Sequence, residues 1–118
     1  MKRMVTIACL CFFVLQTSAQ KQNLASAFPD TTKEIQIVES ACGQCMFGLA
    51  GAGCDLAVRI DGNAYYVDGT DIDSHGDAHG ADGFCMVVRM AQVQGAVVNS
   101  RFKATYFELL PKDNQDKE

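Results

Sequence analysis

The cysteines and histidines of this chain form a pattern that is typical of metal binding. Two cysteines lie in the motif C-G-Q-C, a third follows a glycine-rich stretch, and a fourth follows the loop H-G-D-A-H. The candidate ligands are Cys42, Cys45, Cys54, Cys85, His75 and His79. Four thiolates suit tetrahedral zinc, and soft sulfur donors also suit copper(I). We therefore predict a transition-metal site that holds zinc or copper.

Disulfide bonds are the main alternative for the same thiols. Four cysteines allow three pairings. In one scheme, either Cys42 or Cys45 bridges Cys54 while the other bridges Cys85. Each bridge would stabilise a small exported domain by about 2 to 4 kcal/mol. The chain would then be a disulfide-stapled structural or protein-interaction module.

The C-G-Q-C motif also resembles the active site of thiol-disulfide oxidoreductases, in which a helix N-terminus activates the first thiolate. Such a site needs a long helix after Cys45, but residues 46–53 read M-F-G-L-A-G-A-G, a loop composition. Its facing loop also needs a proline, and both Pro29 and Pro111 lie outside the body of the domain. Redox activity through Cys42 and Cys45 is thus a further alternative, and we expect no catalysis.

The loop from Asp68 to Asp82 contains both histidines and several aspartates but no basic residue. If the loop is helical, His75 and His79 are i and i+4 neighbours on one face and suit a divalent ion. If it is extended, both side chains lie along one edge. The simpler interpretation is a solvated acidic loop that begins a helix, with Ser74 as its N-cap.

The first 19 residues have the features of a secretory signal peptide. Lys2 and Arg3 precede an apolar run, and the segment ends in the small residues T-S-A. The run is shorter than the roughly 20 residues that cross a bilayer. We expect a periplasmic or secreted protein that has no membrane span after cleavage behind Ala19.

The charge of the chain argues against a polyanionic partner. The formal net charge is −4, and cleavage after Ala19 would remove Lys2 and Arg3 and leave a more acidic chain. Such a surface repels nucleic acid. The expected partner is a metal ion or another protein.

Alternating apolar residues predict a mainly β domain between a flexible lead, residues 20–32, and a charged tail, residues 112–118. In the first strand, 33–39, Ile35 and Ile37 are predicted to share the core face. The second, 54–61, is joined to the third, 64–67, by the turn Asp61-Gly62-Asn63. Two more strands, 90–98 with a bend at Gly95 and 102–110, are joined at Asn99-Ser100.

A short helix is predicted between the third and fourth strands, beginning near Ser74 or Asp77. Its apolar stripe, with spacing i, i+3, i+4 and i+7, consists of Ala81, Phe84, Cys85 and Val88. Three strands, a helix and two strands are the element order of an OB-like five-stranded barrel, here over residues 33–111 as a single domain. An open α+β sheet with the helix on one face has the same order of elements.

Several motifs in order resemble an uncharacterised domain-of-unknown-function family of small exported bacterial proteins. They are A-C-G-Q-C-M-F-G-L, G-C-D-L-A-V-R-I-D-G, Y-V-D-G-T, H-G-D-A-H, G-F-C and V-Q-G. The resemblance covers residues 38–111, and it implies export and the domain limits.

Overall fold

The computed structural model describes residues 24–112. The predicted signal peptide, the first part of the lead (20–23) and residues 113–118 of the tail lie outside this range. Five strands form a closed barrel in the order β1-β2-β3-β5-β4. They are β1 (Gln36–Cys42), β2 (Leu56–Ile60), β3 (Asn63–Asp68), β4 (Arg89–Val98) and β5 (Arg101–Leu109). The fold is thus mainly β and of the predicted OB-like kind, and closure excludes the open sheet.

The two predicted hairpins are confirmed by strand register and turn geometry. Ile60 pairs with Asn63, so Asp61 and Gly62 form a two-residue turn, and both have positive φ. Asn99 and Ser100 also have positive φ between β4 and β5. This conformation gives two-residue hairpins the twist of their strands.

The predicted bend at Gly95 is a β-bulge. The register between β4 and β5 shifts between Gln94 and Gly95. Gly95 has φ 152°, and a Cβ at this position would collide with the carbonyl oxygen of Lys103. Glycine is therefore required where β4 bends, and the bend lets this strand pair with both β1 and β5.

The predicted face of the first strand is wrong. Ile35 and Ile37 are 43% and 47% exposed, whereas Val38, Ser40 and Cys42 are buried. The strand begins at Gln36 and continues to Cys42, so the local alternation of two isoleucines at its start was misleading. The face that points inward is the one that carries the first cysteine.

The predicted helix between β3 and β4 is also wrong. The segment contains a 3-10 helix, Ile72–His75, capped by the Asp71 carboxylate rather than by Ser74. Gly76 then has φ 97°, and turns and bends occupy residues 78–87. Ala81 is exposed, while Ile72, Ala78 and Phe84 are buried in the core. This segment packs on the barrel as turns, and the one α-helix of the described chain is α1 (Gly43–Met46).

Residues 24–33 are hydrogen-bonded to the barrel. Ser26 N–H donates to the carbonyl of Thr105 at 2.8 Å. The Gln94 side chain, 3% exposed, accepts from Asp30 N–H at 2.7 Å and donates to the carbonyls of Asp30 and Lys33. Within residues 24–112, no helix has the length and apolar character needed to cross a membrane.

Candidate metal centre

The four cysteine sulfurs of the described chain meet at one end of the barrel. The Sγ atoms of Cys42, Cys45, Cys54 and Cys85 all lie within 4.8 Å of one another. All four are free thiols. Four thiols that come from three separate parts of the chain thus share one small volume.

Strand register explains why these segments meet. Cys42 at the end of β1 pairs with Leu56 at the start of β2, which places Cys54 just beyond the same end of the barrel. On its other side β1 pairs Ser40 with Arg89 at the start of β4, and Cys85 precedes that strand. Because β1 lies between β2 and β4, its last residue is adjacent to both of the other thiol-bearing segments.

The C-G-Q-C motif turns from β1 into the four-residue helix α1. Gly43 is buried, and a Cβ at this position would lie 2.6 Å from Cε1 of Tyr66 and 3.1 Å from Cβ of Ala57. A side chain would therefore push the turn away from the barrel. Glycine at position 43 allows the chain to turn and bring Cys45 back beside Cys42.

The Gln44 side chain holds the segment that carries Cys54. Its Nε2 donates to Oδ2 of Asp55 at 2.7 Å, and its Oε1 accepts from Asp55 N–H at 2.9 Å. Gly43 N–H donates to the Asp55 carbonyl at 2.8 Å. These three bonds fix the residue that follows Cys54 against the turn between Cys42 and Cys45.

The turns before β4 position Cys85. Cys42 N–H donates to the Phe84 carbonyl at 2.9 Å, and Cys85 N–H donates to the Ala78 carbonyl at 3.0 Å. The Phe84 side chain is 2% exposed in the core. A Cβ on Gly83 would collide with the backbone of Ala78, so the close approach of these two residues requires glycine at position 83.

The pKa values of the thiols differ because their surroundings differ. Burial alone would raise the pKa of Cys42, but hydrogen bonds from the Cys45 N–H and from the other three thiols lower it below its ordinary value. The hydrogen bond with Cys42 chiefly raises the pKa of Cys45, and burial adds to this rise. Burial chiefly raises the pKa of Cys85 to about 12. Cys42 thus gives up its proton more readily than Cys45 or Cys85.

The sequence of this domain matches one established family model. Residues 36–110 match the family of unknown function DUF6370. The chain belongs to this family. No curated protein and no solved structure matches it. The matched residues include all four cysteines of the cluster, so the DUF6370 domain and the candidate metal centre coincide.

The two histidines do not join the cysteine cluster of this DUF6370 domain. The 3-10 helix ends at His75 and Gly76 has positive φ, so His75 and His79 share neither a helix face nor an extended edge. The His75 ring lies 4.8 Å from that of Phe107 and 6.0 Å from that of Phe84, between centroids. Its Nε2 is 2.8 Å from the Thr70 hydroxyl. His79 is exposed. His75 thus has packing partners in the core, and the sulfurs form the cluster alone.

Sequence inspection missed the residues that support the cluster. Gln44 and Asp55, which hydrogen-bond to each other beside the cluster, are not among the predicted ligands. Tyr66 donates from its hydroxyl to the Ala50 carbonyl at 2.6 Å and so holds the glycine-rich loop. An amide inside the C-x-x-C turn together with a carboxylate directly after the third cysteine is the signal that was available in the sequence.

Proposed function

We propose that this DUF6370 domain is an exported, non-catalytic binding domain that takes one transition-metal ion, zinc or copper(I), on Cys42, Cys45, Cys54 and Cys85. The observation that carries the proposal is the convergence of four free sulfurs within 4.8 Å of one another. His75 and His79 are left out of the ligand set because they lie outside that cluster.

The sulfur spacing supports four-coordinate binding. Zinc–sulfur bonds of about 2.3 Å in a tetrahedron separate the sulfurs by about 3.8 Å, so the cluster needs only a small contraction. Four thiolates and no oxygen or nitrogen donor form a soft ligand set, which favours zinc and copper(I) over magnesium or calcium. Zinc fits the count of four sulfurs best, and copper(I) is the second cation of matching softness.

Electrostatics and stability favour occupancy by a cation. A divalent ion would replace the protons that the raised pKa values of Cys45 and Cys85 retain on those thiols. It would also join β1, the segment before β2 and the turns before β4. In a domain near the lower size limit for a single core, such a link contributes directly to folding.

A disulfide-stapled module is the second candidate function. The same 4.8 Å proximity of the thiols favours it, and so does the proposed export, since most compartments outside the cytoplasm are oxidising. Two bridges would join the four sulfurs in pairs, and the two sulfurs within each pair would lie about 2.05 Å apart.

Thiol redox catalysis has less support. Reactive cysteines are partly exposed and have a lowered pKa. Here the properties are divided between two residues, because Cys42 has the lowered pKa but is completely buried. Cys45 is exposed and has a raised pKa. Neither thiol combines access with activation.

Mass spectrometry of the chain purified from its native compartment, without added reductant, tests the proposal. We expect an N-terminus at Gln20, four free thiols, and one equivalent of metal under native conditions. Each disulfide would instead lower the intact mass by that of two hydrogen atoms. Two bridges and no metal would refute metal binding and establish the stapled module, and an intact Met1 would refute cleavage after Ala19.

Cobalt(II) titration of the reduced chain tests the ligand set. We expect one equivalent to bind with sulfur-to-cobalt charge-transfer absorption and a tetrahedral d–d spectrum. A chain with both His75→Ala and His79→Ala should give the same spectrum. Cys85→Ser should change it, and an unchanged spectrum in Cys85→Ser would exclude the four-sulfur centre.

A further inference from the structure

The four thiols of the cluster differ in their access to solvent. Cys42 is completely buried, and Cys54 and Cys85 are partly buried. Cys45 alone among the four is exposed. An incoming group therefore has its most open approach at Cys45, while protein covers Cys42 completely and Cys54 and Cys85 in part.

The thiol-bearing residues also differ in how directly they are held. Cys42 and Cys85 donate backbone hydrogen bonds to Phe84 and Ala78, and three bonds from Gly43 and Gln44 hold the residue after Cys54. Cys45 lies in the single turn of α1, and the same three bonds hold that turn through its neighbours Gly43 and Gln44.

The loop that follows this turn has open space at two of its glycines. Residues 47–53 are rich in glycine, and a Cβ on Gly48 or Gly53 would meet nothing within 4 Å. The loop beside Cys45 is thus open to solvent at these two positions, while the Tyr66 hydroxyl holds it at Ala50.

We propose that Cys45 is the exchange ligand of the centre, through which a bound metal passes to a thiol-bearing acceptor. This inference rests on the metal binding proposed above. The acceptor sulfur forms a bond to the metal as the bond between the metal and Cys45 breaks, and the proton of the acceptor thiol passes to the Cys45 sulfur. The metal keeps its oxidation state. The three better-covered sulfurs hold it until further acceptor thiols replace them.

Zinc transfer to 2,3-dimercaptopropanol, combined with pulsed alkylation, tests this order. The zinc-loaded mature chain is mixed with increasing dithiol and pulsed with N-ethylmaleimide, and native mass spectrometry follows the zinc while peptide mapping locates the label. We expect a transfer rate that rises in proportion to dithiol concentration. The first label should appear on Cys45 in chains that still retain zinc.

Two serine variants provide a matched comparison, since each leaves three thiolates. Cys45→Ser should transfer zinc several-fold faster than Cys54→Ser, because the acceptor then meets an open coordination position on the exposed side. A transfer rate independent of dithiol, or first labelling of Cys54 or Cys85 in the unmodified chain, would overturn the exchange role alone. A chain that takes up no zinc at the loading step would overturn the proposed function as well, so the two failures are distinguishable.

Discussion

Cys42 N–H donates a hydrogen bond of 2.9 Å to the Phe84 carbonyl, and this bond ties the end of β1 to the turns that carry Cys85. The Phe84 side chain is 2% exposed and belongs to the core cluster. The position of one candidate ligand therefore depends on core packing. Phe84 thus contributes its backbone carbonyl to the site and its side chain to the core of the barrel.

The first prediction concerns this shared residue. Phe84→Ala removes a buried aromatic side chain and should lower the free energy of unfolding by about 3 to 5 kcal/mol. It should also weaken metal binding, because Cys85 loses its support. Urea denaturation of the metal-free chain and cobalt titration measure the two effects. The control is Met86→Ala on the other side of Cys85, where the side chain is 57% exposed and little change is expected. Equal stabilities of the two variants would contradict this role.

The second prediction concerns the contact between Gly43 and Tyr66. A Cβ at position 43 would lie 2.6 Å from Tyr66 Cε1, so Gly43→Ala should destabilise the domain by about 1 to 3 kcal/mol. Tyr66→Leu removes the ring and should partly relieve the clash. The double variant should therefore lose less stability than the sum of the two single changes. Additive losses in a double-mutant cycle measured by urea denaturation would show that the two residues do not compete for this space.

The strand pattern was largely predictable because it depends on neighbours in sequence. Leu56 and Val58 alternate with less apolar residues, and Asp61-Gly62 supplies the positive φ that a two-residue turn needs. The first strand was assigned the wrong face because Ile35 and Ile37 alternate just before it. Its true inward face contains Ser40, which is buried because its hydroxyl donates to the Arg89 carbonyl at 2.7 Å. That partner is 49 residues away, beyond the reach of a local pattern.

The turns before β4 show how a helical spacing can mislead. Ala81, Phe84, Cys85 and Val88 have the spacing of a helix stripe, but Gly76, Gly80 and Gly83 interrupt the segment. Glycine disfavours a helix interior, and Gly83 allows close backbone approach to Ala78. The cysteines were predicted as candidate ligands from their types. The predicted metal site requires that they converge, but the cause of the convergence is the register of β1 with β2 and β4, which local sequence patterns do not give.

The third prediction concerns Gln44, whose amide holds Asp55 beside the cluster. Gln44→Ala removes bonds between exposed groups and should change stability little. It should still weaken metal binding by about 10- to 100-fold, as is usual when a group that orients a ligand is lost. Competition with a chromogenic chelator measures the affinity. Gln36→Ala, an exposed amide at the far end of β1, is the control. Equal affinities in the two variants would exclude the positioning role.

The fourth prediction concerns the pH dependence of metal binding. The pKa of Cys85 is raised to about 12 and that of Cys45 is raised as well, so both thiols are protonated near neutral pH when no metal is bound. Because a cation binds thiolates, binding must release those protons, and affinity should rise as pH rises. Titrations in lightly buffered solution should detect proton release with each zinc bound. Affinity that does not change with pH would contradict thiolate ligation.

The last prediction concerns His75. Burial is the main reason that its folded-state pKa lies below the ordinary 6.5, although the Asp71 carboxylate opposes this shift. The charged form is thus less favourable in the folded state than in the unfolded state. The contribution of His75 to stability should therefore be fully present above the pKa that this residue has in the unfolded chain. It should fall as pH drops through and below that value.

Denaturation of the metal-free chain at about pH 7.5 and about pH 5 provides the measurement. His75→Gln removes the titrating group and should show a smaller loss of stability on acidification than the unmodified chain. Other groups titrate equally in both proteins, so the difference between the two losses isolates His75. The exposed His79 is the matched control, and His79→Gln should lose as much stability on acidification as the unmodified chain. If His75→Gln loses as much stability on acidification as the unmodified chain, burial of the imidazole among Phe84 and Phe107 does not set the acid sensitivity of this domain.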